Sequence, residues 1–352
     1  MRLFKKGFTV CFFLIFFIGV SHADPVNVGN DQAEVGSWRQ QCMQPSMSSE
    51  NRSLGQRLIV GFKGKVPSDA GVKDIIQLIQ EKKVGGVILL SRNIDSKSQL
   101  KALIQSLVKE NPCLIVAIDQ EGGPVQRLTA EKGFKGLMSA SAINKKFTPQ
   151  EAFHEYSKMA VEMIELGINV NFAPVVDVSL NPHKSRLDKQ RMFSDKPDEV
   201  VEYAVSFLKA CQAHNLQCVL KHYPGLGSSH VDSHHQTVDI TDLFKDVEHK
   251  PYERLHEQYL LSAVMLSHAI DRNIDDLPAS LSEFHVKKLK NINKQVLTIS
   301  DSFTMKAVSD HFSLKKILAY TKASGIDWLL WVDPLEKSSS VTSFVNKLHS
   351  YQ

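Results

Sequence analysis

Cys113–Arg127, CLIVAIDQEGGPVQR, is the stretch on which the fold is decided. Cys113–Ile118 carries no charged or amide side chain, and then polarity arrives at once in Asp119, Gln120 and Glu121. A strand with one face in water alternates apolar and polar residues, whereas one covered on both faces is apolar throughout, as in parallel sheets. The run therefore reads as a buried strand ending in a polar loop.

Working outward, the same unit recurs. Apolar, β-branched runs stand at Arg57–Phe62, Val84–Leu90, Asn169–Phe172 with Val175 and Val176 beyond, Gln217–Leu220, Ala263–Leu266, Gln295–Ile299 and Asp327–Val332. Between them lie stretches with apolar spacing near 3.6, such as VKDIIQLIQEKK, DEVVEYAVSFLKACQ, SLSEFHVKKLKNI and SLKKILAYTKASG. Strand and helix in strict alternation imply parallel pairing and right-handed crossovers. Eight such units predict an α/β fold, a single-domain (β/α)8 TIM barrel, over 56–352. An open doubly wound sheet is the alternative, but no GxGxxG follows the first strand.

The chain has 352 residues, 43% hydrophobic and 23% charged, enough to bury a large core and too apolar for intrinsic disorder. Residues 1–23, MRLFKKGFTVCFFLIFFIGVSHA, have a basic start, an apolar run from Phe8 to Val20 and small residues before a cleavage point near Ala23. That is the pattern of a secretory signal peptide, and the run is shorter than the roughly 20 residues a membrane span needs. The expectation is an exported, periplasmic or secreted protein with no membrane span after cleavage. Residues 24–55 read as an N-terminal extension. Without Arg2, Lys5 and Lys6, 39 Lys and Arg face 38 Asp and Glu, so net charge gives no case for nucleic acid or an anionic membrane as partner. Oligomeric state is not legible. Cys42, Cys113, Cys211 and Cys218 would follow the signal; their pairing cannot be read, and Cys113 and Cys218, in apolar surroundings, read as small buried hydrophobes.

Barrel enzymes place their chemistry on loops leaving the C-terminal ends of the strands. Here those positions hold Asp119–Arg127, Asn171–Pro174 with Asp177, Lys221–Gly227, Ser267–His268 and Ser300–Ser302. Taken singly each is also consistent with helix capping.

The segments IDQEGGPVQRL, GINVNFAPVVDV, RMFSDKPDEVVEYAVSF, KHYPGLG followed by VDSH, MLSHAI, LPASLS and ISDSFTM together resemble the family 3 glycoside hydrolases, in their single-barrel β-N-acetylhexosaminidase branch. The resemblance spans nearly the whole barrel. It implies retaining hydrolysis of terminal β-linked N-acetylglucosamine, with N-acetylglucosamine-containing glycans such as peptidoglycan fragments as substrate, and neither cofactor nor metal. It further implies Asp301 as nucleophile and His234, supported by Asp232, as general acid and base, where a neighbouring carboxylate fixes the imidazole tautomer. Substrate binding falls by motif match to Asp119, Arg127, Arg191, Lys221 and His222. Three positions depart from the family pattern: Pro124 and Leu226 stand where Arg and His are common, and Ser302 where a second Asp is common. Competing expectations are a metal-dependent hydrolase built on His222, His230, His234 and His235, a sugar-binding barrel without turnover, and a β-glucosidase or β-xylosidase.

Overall fold

The computed structural model describes Cys42 and residues 52–230, 236–333 and 340–352. The apolar runs become strands β1 Leu58–Gly61, β2 Gly86–Leu89, β3 Ile115–Ile118, β4 Val170–Asn171, β5 Gln217–Cys218, β6 Leu220–Tyr223, β8 Ala263–Leu266, β10 Leu297–Ser300 and β11 Leu329–Trp331. Two short strands, β7 Val238–Asp239 and β9 Ala269–Ile270, pair in parallel above the sheet. β11, β1, β2, β3, β4 and β5 form one parallel sheet in that order, and β10, β8 and β6 another. Parallel bridges Ile299–Trp328 and Val175–Lys221 join the two. With β5 and β6 as two pieces of one stave, the circle closes as a (β/α)8 barrel.

The apolar runs are uninterrupted because alternate residues feed two cores. Ile59, Ile88, Ile115, Ala117, Val170, Phe172, Val219, Met265, Ile299 and Leu330 fill the barrel interior. Leu58, Val60, Val87, Leu89, Val116 and Ile118 point outward against the helices. Each such aliphatic side chain contributes about 1.5–3 kcal/mol on burial, so a polar residue on either face is costly.

The helix Pro149–Leu166 shows how the outer ring is specified. Thr148 caps it reciprocally with Glu151, proline occupies its first turn, and Gly167 ends it in the left-handed conformation. It buries Tyr156, Met159, Ala160 and Met163 on one stripe, and Tyr156 meets Phe207 of the helix Pro197–Ala213 with ring centroids 4.5 Å apart.

The reading of Cys113 and Cys218 as free buried hydrophobes is corrected. Cys113 is exposed and bonded to Cys42, and Cys218 is bonded to Cys211 at the end of the preceding helix. Cys113 precedes β3, so the Cys42 bridge lies at the barrel end opposite Asp119. Among the described residues no helix is long and apolar enough to cross a membrane.

Candidate active site

Strand pleat places the first polar residues. Ala117, Val219 and Ile299 point into the barrel, so Asp119, Lys221 and Asp301, two residues further on, point into its C-terminal mouth. Lys221 Nζ lies 3.0 Å from Asp119 Oδ1 and 2.5 Å from Glu121 Oε1. The ladder between β6 and β8 shifts register between Lys221 and Tyr223, and His222 reaches the same cluster from the next position.

The loop after β3 is folded back on itself. Gln120 Oε1 accepts the backbone N–H groups of Arg127 and Leu128, and the amides of Glu121 and Gly122 donate to Val125 O. Gly122 has φ +94°, and a Cβ there would lie 2.2 Å from Met138 O, so only glycine fits. Pro124 sits exposed at the tip of this turn. The fold-back brings Arg127 Nη2 to 3.4 Å from Asp119 Oδ2.

Arg191 approaches from the short helix Arg186–Arg191. Its Nε and Nη2 donate to the two oxygens of Glu121 at 2.8 and 2.9 Å, and Nη2 lies 3.5 Å from His222 Nε2. Glu121 is thus buried between two cations. Burial alone would push its carboxyl up, but Lys221 and Arg191 hold it well below the usual carboxylate range. Burial would likewise lower the Lys221 ammonium, yet Glu121 and Asp119 raise it above its ordinary value.

His222 Nδ1 donates to Asp177 Oδ2 at 2.7 Å. Because Arg191 can only donate, Nε2 of His222 must accept, which assigns the ring proton to Nδ1. Burial raises the Asp177 carboxyl, and His222 with the amides of Leu226 and His222 more than reverses that, leaving it low.

Asp301 follows β10. Its amide donates to Leu266 O at 2.8 Å, and its Oδ1 accepts the Ser302 amide at 2.7 Å. The N-cap residue of the helix Lys306–Ser309 is Met305, not Asp301. Ser302 is buried; its Oγ accepts the amides of Thr304 and Val332. His268, fully buried, lies 2.8 Å from Ser302 O through Nε2 and 2.6 Å from Ser280 Oγ through Nδ1. A carbonyl accepts only, so Nε2 carries a proton and donates it to Ser302 O. That pair braces the peptide next to Asp301.

The predicted residues Asp119, Arg127, Arg191, Lys221 and His222 form one connected network, and Asp301 faces the same mouth. Asp232 and His234 lie outside the described residues, as does His235. His222 Nδ1 is turned to Asp177, His230 Nδ1 lies 2.9 Å from Asn181 Nδ2, and among the described residues no group of three or more His, Cys, Asp or Glu side chains is gathered to hold a metal ion. Sequence reasoning gave no role to Glu121, Asp177, Glu248 or His268, although all four stand in or beside strand-end loops.

The arrangement offers a carboxylate beside a dense set of donors and acceptors at a barrel mouth, suited to gripping the hydroxyls of one sugar ring. The family model described as glycosyl hydrolase family 3 N terminal domain matches residues 52–350. A beta-hexosaminidase of Haemophilus influenzae (strain PittEE) is 33% identical over 260 residues, 71% of each chain. A glycoside hydrolase family 3 beta-N-acetylglucosaminidase from Paenibacillus sp. str. FPU-7 has a similar structure, with TM-score 0.74 and 25% identity over 87% of this chain and 58% of that one. M. tuberculosis LpqI aligns with TM-score 0.72 and 27% identity over 88% of this chain and 90% of its own.

Proposed function

The chain belongs to glycosyl hydrolase family 3, and from that premise we propose that it is a retaining β-N-acetylhexosaminidase removing terminal β-linked N-acetylglucosamine. One observation carries the proposal: Asp301 shares the barrel mouth with the Asp119–Lys221–Glu121–Arg191–His222 network in a chain similar to beta-hexosaminidases.

In the first step an Asp301 oxygen bonds to the anomeric carbon as the glycosidic C–O bond breaks, and the leaving oxygen takes a proton from His234. In the second, His234 takes a proton from water as the water oxygen displaces Asp301, returning the sugar with its starting configuration. Asp232 orients the His234 ring. Asp119, Arg127, Arg191, Lys221 and His222 hold the sugar hydroxyls, and Glu121 keeps both cations in place.

The natural substrate is a peptidoglycan fragment and the site of action is outside the cytoplasm, after removal of residues 1–23. The two disulfides support that compartment, since such bonds persist where thiols are oxidised.

The test is release of nitrophenol from its β-N-acetylglucosaminide by the purified mature chain, with the β-glucoside as control and Asp301→Ala alongside. Turnover of the N-acetyl sugar alone, abolished in the variant, is the expected result. No turnover of either sugar by the folded chain would replace the enzyme with a sugar-binding barrel.

A further inference from the structure

Glu248 is a buried carboxylate that the mechanism above does not use. It stands in the 3-10 turn Asp246–His249 and is 1% exposed. Its Oε2 accepts the Gly227 amide at 2.7 Å and the Ser228 amide at 3.4 Å, and its Oε1 accepts the Ser228 hydroxyl at 2.6 Å. Among the described residues no cation pairs with it. A buried anion without a counterion costs several kcal/mol, and every partner here belongs to a single turn. A carboxylate accepts from all three donors, whereas an amide keeps its oxygen for the two backbone N–H groups and has to reverse the third bond, its N–H2 donating to the Ser228 hydroxyl without the charge that strengthens the other two.

That turn, Gly225–Ser228, is gripped from two sides. A Cβ on Gly227 would lie 1.6 Å from Val178 O, and one on Gly225 would lie 2.8 Å from the Glu248 side chain. Asp177 Oδ1 accepts the Leu226 amide at 3.0 Å, so two carboxylates hold three successive amides. Asn181 adds its own amide, donated to Gly227 O at 3.1 Å. One end of the turn continues from His222; the other leads in sequence to Asp232 and His234.

We propose that Glu248 is a positioning residue of the hydrolase, fixing through Gly227 and Ser228 the departure of the segment that bears Asp232 and His234, so that proton delivery to the leaving group depends on it. This rests on the function proposed above. Protonation of the leaving oxygen matters for a sugar and much less for an acidic phenol, so the role predicts a loss that depends on the leaving group.

The experiment compares wild type, Glu248→Gln and Ser228→Ala on two glycosides, N,N′-diacetylchitobiose and the dinitrophenyl β-N-acetylglucosaminide, with thermal unfolding followed in parallel. For Glu248→Gln the expected result is a fall in kcat of tenfold or more on the disaccharide and under threefold on the aryl glycoside. Ser228→Ala should fall in the same pattern by a smaller factor, and it decides the matter alone if Glu248→Gln does not fold. Equal losses on both glycosides, or none, from folded variants of an active wild type would overturn the positioning role while leaving the hydrolase intact. A wild type idle on both glycosides would overturn the function, and the positioning role with it.

Discussion

His222 and Asp177 are joined at two points: the imidazole Nδ1 lies 2.7 Å from Oδ2, and the His222 amide lies 3.2 Å from Oδ1. The carboxylate therefore sets both the backbone position and the tautomer of the ring. In Asp177→Asn an amide N–H2 placed opposite Nδ1 would move the ring proton to Nε2, where it meets the Arg191 guanidinium donor against donor. We expect kcat/KM on the aryl N-acetylglucosaminide to fall by about 10- to 100-fold, on the order of 1.4–2.8 kcal/mol, carried mainly by KM. An unchanged KM would count against His222 as a sugar-binding group.

Glu121→Gln removes the anion from between Lys221 and Arg191 and leaves two cations facing each other. Breaking one partner out of a buried ion pair costs about 3–5 kcal/mol, and we expect a loss of that order in urea unfolding at pH 7. The pH dependence has a definite sign. The Glu121 and Asp177 carboxyls are both depressed in the folded chain, so their contribution is complete above the unfolded values near 4 and is lost as pH falls through the lower folded ones. Glu248 is raised by burial and by Asp177, so it acts oppositely, shedding stability as pH rises above its unfolded value. Unfolding free energies at pH 7, 5 and 3.5 should converge between wild type and Glu121→Gln in acid. Parallel curves would show that Glu121 is not the group that titrates.

The barrel was legible because each stave is apolar on both faces, and the mouth was legible because polarity starts abruptly where each stave ends, as at Ile118–Asp119 and Ile299–Ser300–Asp301. What escaped was pairing across the fold. Glu121 lies 70 residues before Arg191, and Asp177 lies 45 before His222. Nothing local marks a carboxylate as the partner of a distant side chain, and burial on an exposed-looking loop is visible only once the chain is folded. Cys113 failed for the same reason: an apolar neighbour on one side looked like a core, while its sulfur faces outward to Cys42.

Arg191 grips Glu121 through two nitrogens, and that fork separates geometry from charge. Lysine keeps the charge but binds as a point and cannot reach both Glu121 and His222 from one planar group. Arg191→Lys should therefore lose at least about tenfold in kcat/KM, close to the loss in Arg191→Ala. Near wild-type kinetics with lysine would mean that the positive charge alone suffices.

The two disulfides should stabilise unequally and leave the chemistry untouched. Closing a chain loop restricts the unfolded ensemble, and the restriction grows with loop length. The Cys42–Cys113 separation of 71 corresponds to about 4 kcal/mol and the Cys211–Cys218 separation of 7 to about 2.5 kcal/mol in that chain-entropy picture. Cys42→Ala removes the longer closure with little change in packing, because Cys42 is only partly buried. Its bridge also sits at the barrel end away from Asp119 and Asp301. We expect Cys42→Ala to lower the thermal midpoint by several degrees, with kcat/KM at 25 °C within twofold of wild type. A drop in kcat/KM well below the new midpoint would place the N-terminal extension in contact with the mouth, against the position of its anchor.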